Sequence, residues 1–164
     1  MGIALQLLAR VHNQDADLLN FLKVVLSRNE PHLLQGQMYY LRSQLAMKMA
    51  QQGSVEERMG LMAIAESDAR TLLDQFPGLS QITNVYRLLA YAALERQPAQ
   101  YRAAADFLIQ LRDQSPESKD FVEVNSLIGD CYFLNRDFAN AVDFYSAALN
   151  RGLASPRGGE LFLR

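Results

Sequence analysis

Apolar residues recur along the chain at helical rather than strand spacing. Leu34, Met38, Leu41, Leu45 and Met49 fall three or four positions apart, and Phe107, Leu108 and Leu111 repeat the pattern further on. Each set forms a stripe along one face of an α-helix, the face that buries against a neighbour. No stretch sustains the apolar–polar alternation of a half-buried strand, and Val and Ile are scattered among strong helix formers. The pattern predicts an all-α fold.

The stripes are interrupted at regular intervals, each time by residues with a chemical reason to end a helix. Asn29-Glu30-Pro31 puts proline in the first turn of a helix, where its missing N–H does no harm. Gln52-Gly53 closes one helix and Ser54 with Glu57 opens the next at capping-box spacing. Phe76-Pro77-Gly78 and Ser115-Pro116 are stops, Gln97-Pro98 and Asn135-Arg136-Asp137 are tight turns, and Asp137 suits the N-cap of a helix starting at 138. The predicted helices run over 3–12, 15–28, 31–51, 54–75, 80–95, 98–114, 119–134 and 138–150. They pair into antiparallel hairpins over about 3–28, 31–77, 80–116 and 119–153, within a single domain spanning 1–164.

The hairpins repeat. Leu72 to Pro77 and Leu111 to Pro116 share the pattern Leu-x-Asp-Gln-x-Pro 39 residues apart, and Ala65 and Ala104 obey the same offset. A shift of 37 residues carries Ala92 onto Gly129, Ala104 onto Ala141, Leu108 onto Tyr145 and Leu111 onto Ala148. Within the last unit, Asn125-x-x-Ile128-Gly129-x-x-Tyr132 is followed by Ala141-x-x-x-Tyr145-x-x-Ala148. This resembles the tetratricopeptide pattern Trp-x-x-Leu-Gly-x-x-Tyr then Ala-x-x-x-Phe, with Asn125 in place of the bulky Trp and Leu153 where a proline usually closes the unit. Residues 85–116 resemble it through Leu88, Tyr91-Ala92, Ala104, Leu108 and Pro116, and 31–77 only through Leu45-Ala46, Ala65 and Pro77. The small Gly129 and Ala141 are expected to meet at the closest approach of the last hairpin, with Tyr132 and Tyr145 filling space between one pair and the next.

The resemblance implies a right-handed α-solenoid of stacked hairpins whose first helices line a concave groove for a peptide or protein segment. Aligned on the repeat, the groove candidates are Tyr40, Ser43 and Met47, then Tyr86, Leu89 and Ala93, then Glu123, Ser126 and Asp130. The Lys, Arg and Asn set with which related domains hold acidic chaperone tails is absent from these positions. The implied function is a protein-interaction scaffold. Its alternatives are a regulatory or sensor arm of a larger enzyme or transcription regulator, and a self-association module that makes homo-oligomers through exposed solenoid ends. The segment 154–164, with Ser155-Pro156 and then Leu161-Phe162-Leu163, reads as the opening of a further helix of a longer repeat protein or as a cap.

Composition narrows the partners. A net charge of −2 gives no general pull toward nucleic acid or anionic lipid, and no run approaches the ~20 apolar residues that span a bilayer. The partner is expected to be protein, with no nucleic acid and no membrane insertion; cytoplasm and periplasm are both compatible. The single cysteine, Cys131, excludes an intramolecular disulfide and lies beside Gly129, as a small packing thiol does. His12 and His32 fall on different helices without ligand-spaced neighbours. Gly158-Gly159-Glu160 lacks the Lys-Ser or Lys-Thr of a phosphate loop. No catalytic, cofactor or metal residues are assigned, and the chain is not read as an enzyme.

Overall fold

The computed structural model describes residues 15–28, 33–116 and 120–153; the expected helix over 3–12, both histidines and the segment 154–164 lie outside the described residues. Within them are α1 (Asp15–Ser27), α2 (Gln35–Gln52), α3 (Val55–Gln75), α4 (Ile82–Leu94), α5 (Tyr101–Gln114), α6 (Phe121–Leu134) and α7 (Phe138–Leu153), and no strand. The all-α expectation holds, and most helix limits fall within two residues of those expected, but α2 begins at Gln35 after a turn at Leu33-Leu34 and not at 31, α5 begins at Tyr101 and not at 98, and α7 runs on to Leu153 past 150. The chain divides into two compact units, Met1–Leu88 and Leu89–Arg164, with the boundary inside α4.

In the first unit α1 packs on α2, and α2 on α3. The turn between α2 and α3 is only Gly53 and Ser54, which forces an antiparallel pair. Ser54 accepts from the Glu57 backbone N–H while the Glu57 carboxylate accepts from the Ser54 N–H at 3.1 Å, the reciprocal box its spacing predicts. The Ser54 hydroxyl also donates to this carboxylate at 2.8 Å, and that bond, followed by the one from the Ser54 backbone N–H, holds the Glu57 carboxyl below its ordinary value. Ala46, Ala65 and Ala69 are wholly buried and let the α2 and α3 backbones approach. Into this interface comes a polar group that periodicity does not foresee. Asp68 is buried on α3, and Arg42 of α2 grips it bidentately, Nε to Oδ2 at 2.7 Å and Nη2 to Oδ1 at 2.6 Å. Burial lifts the Asp68 carboxyl above its ordinary value against the opposing pull of Arg42, and the same hydrogen bonds hold Arg42 above its own.

In the second unit α5 packs on α6, and α6 on α7. Asn125, which stands where the resembled pattern has Trp, is wholly buried: its Nδ2 donates to the Phe121 carbonyl at 2.8 Å, and Arg112 Nη1 of α5 donates to its Oδ1 at 3.4 Å. Arginines fasten this unit. Arg112 lies over the Phe144 ring, Arg102 over Tyr132, and Arg151 over Phe121 at 4.3 Å while donating to the Pro116 carbonyl. The α6–α7 turn is a Schellman closure, with Asp137 N–H donating to the Tyr132 carbonyl and Arg136 N–H to that of Phe133, both at 2.9 Å. Arg136 occupies the left-handed position, φ 62°, that glycine usually fills. Asp137 then caps α7, accepting from the Asn140 N–H.

Most residues equated by the repeat offsets share burial, the exception being buried Leu108 against half-buried Tyr145. Ala65, Ala104 and Ala141 are all buried, as are Leu111 and Ala148, and Ala92 and Gly129.

Candidate functional site

The last described hairpin, α6 with α7, presents two faces of different character. Val124, Asn125, Ile128 and Tyr132 of α6 and Ala141 and Ala148 of α7 are buried. A second face is open and carries exposed apolar side chains. Phe133, Leu134, Phe138 and Val142 keep 53, 54, 55 and 60% of their surface exposed, and Leu127 and Leu149 more than a third. On α7 the positions Phe138, Val142, Tyr145 and Leu149 follow the i, i+4, i+7, i+11 spacing of one helix face. On α6 the same spacing runs Glu123, Leu127, Asp130, Leu134, alternating acid and leucine.

Two contacts link the α7 stripe to α6, one to Phe133 beside the leucine row and one to Asp130 within it. The Phe133 and Phe138 rings meet edge to face at 5.5 Å across the turn. Further along, the Tyr145 hydroxyl donates to Asp130 Oδ1 at 2.6 Å. Partial burial and that bond to an anion push the Tyr145 phenol up to about 12, so it is a donor at neutral pH. The Tyr145 ring reaches Asp130 by crossing Gly129, where a Cβ would lie 2.5 Å from its Cε1 atom. The nearest neighbour of Gly129 is thus the Tyr145 ring, for which the glycine makes room. Tyr132 stacks on Phe144 at 5.3 Å within the hairpin and lies under Arg102 of the preceding helix α5, while Tyr145 is half-buried.

The nine groove candidates are distributed unevenly. In the first unit Ser43 and Met47 are buried, the Ser43 hydroxyl donating to the Tyr40 carbonyl at 2.7 Å. Tyr40 and Tyr86 are half-buried, and the Tyr40 hydroxyl accepts from Asn84 Nδ2 at 3.2 Å. In the second unit Leu89 and Ala93 are buried, Ser126 is half-buried and donates to the Val122 carbonyl, and Glu123 and Asp130 are exposed. Ser43, Met47, Leu89 and Ala93 thus belong to the packed interior and offer a partner no side-chain surface. Glu123 and Asp130 lie on the exposed apolar face of α6. The leucines and phenylalanines beside them are not among the sequence candidates. Their signal is a second apolar stripe on α7, at 138, 142, 145 and 149, running beside the core stripe at 141, 144 and 148.

Reactive chemistry is subdued. The Cys131 thiol is buried, and burial with the nearby Asp130 charge pushes it up to about 11, so it stays protonated at neutral pH. Among the described residues no group of three or more His, Cys, Asp or Glu side chains could hold a metal ion, and no helix is long and apolar enough to cross a membrane. A hollow of about 370 Å³ at the α2–α3 turn is lined by Met49, Leu61 and Ile64, with Glu57 engaged in the helix cap. Comparison of the chain with models of protein families, with curated proteins and with solved structures finds no match.

Proposed function

We propose that the chain is a run of tetratricopeptide-like hairpins, forming a right-handed α-solenoid, whose work is to bind a protein or peptide segment rather than to catalyse a reaction. The observation that carries the reading is the α6–α7 face. Contiguous exposed Phe, Leu and Val side chains, edged by carboxylates, cost solubility unless something covers them. Large apolar anchors amid polar residues also match the anatomy of interaction surfaces. The buried, protonated Cys131 and the engaged Asp68 leave these residues no evident catalytic role.

The test uses the full chain as bait. Proteins retained by the wild type are identified and compared with those retained by Leu134→Glu and Phe138→Glu. Both residues are more than half exposed, so melting temperatures should stay within a few degrees while specific capture is lost. Identical capture by wild type and both variants would remove this face from the reading. A concentration-dependent mass in light scattering, abolished by the same variants, would assign the face to self-association instead.

A further inference from the structure

We draw no further inference here: the strongest candidate, the apolar hollow at the α2–α3 turn lined by Met49, Leu61 and Ile64, carries nothing because no observation in the structure shows what covers it.

Discussion

Replacing Gly129 by alanine sets two effects of opposite sign against each other. Glycine in a helix interior is less favourable than alanine by about 1 kcal/mol, so propensity alone makes Gly129→Ala stabilising. Space decides otherwise. The new Cβ would sit 2.5, 2.6 and 3.0 Å from Cε1, Cδ1 and Cζ of Tyr145, against the roughly 3.5–4.0 Å of ordinary carbon contact. The ring must withdraw by about 1 Å, and its hydroxyl is tied to Asp130 at 2.6 Å. Overpacking of this kind costs about 1–3 kcal/mol, and the bond to an anion adds at the lower end of its range because the site is partly hydrated. The net expectation is a loss of about 1.5–3.5 kcal/mol, each kcal/mol lowering the melting temperature by about 2–4 °C in a chain of this size. Urea denaturation supplies the free energy, and ultraviolet titration supplies an independent readout. As the ring leaves Asp130, the Tyr145 phenol should fall from about 12 toward its ordinary value of 10.0. In a Tyr145→Val background the space is free, and the same Gly129→Ala change should become stabilising. A gain in stability from Gly129→Ala beside an intact Tyr145 would refute the argument.

Arg42→Ala should cost about 3–5 kcal/mol in urea denaturation by stranding the buried Asp68, a loss that shrinks at low pH once the carboxyl is neutral, whereas Arg42→Met with Asp68→Leu should cost much less. Arg136→Gly should stabilise by up to about 1 kcal/mol by relieving the left-handed backbone, with the far-ultraviolet spectrum unchanged. The Glu57 carboxyl is lowered in the fold, so its contribution is present above its ordinary value of 4.5 and fades as pH falls through the folded value; Ser54→Ala, which leaves only the backbone N–H bond, should flatten that acid-side slope and lower the melting temperature. Cys131 is raised from 9.0 to about 11, so its contribution is complete below pH 9.0 and is lost as pH rises through about 11. Native Cys131 should accordingly react with a thiol reagent at pH 8 far more slowly than in denaturant.

Helix limits are legible in the sequence because they depend on local chemistry. The capping box at Ser54, the stop at Phe76-Pro77 and the turn before Asp137 act within a few residues of themselves, and α3 and α6 lie within a residue or two of their predicted spans. The small residues at the repeat offsets are legible for a similar reason: close packing at fixed positions along a helix imposes its own period. What periodicity cannot carry is a partner in another helix. The Arg42–Asp68 pair joins residues 26 apart and Arg112–Asn125 joins residues 13 apart, and nothing near Asp68 marks it as buried. The groove candidates suffer from the same blindness. Ser43 and Met47 are one helical turn apart on a face that could be turned inward or outward, and sequence spacing does not choose.

Both kinds of signal meet at the last hairpin. Ala104 and Ala141 are interchangeable by offset and by burial, but their neighbours Ala105 and Val142 are not: the first has no exposed surface and the second keeps 60%. The contrast continues from Ala93 to Asp130 and from Ala90 to Leu127, where small buried residues give way to larger ones open to water. Leu127, Leu134, Phe138 and Val142 keep apolar surface exposed, with Glu123 and Asp130 interleaved among the leucines of α6. The inner face follows the period of the fold, so it reports architecture. The outer face departs from that period, and its departures are of the two kinds a partner can recognise.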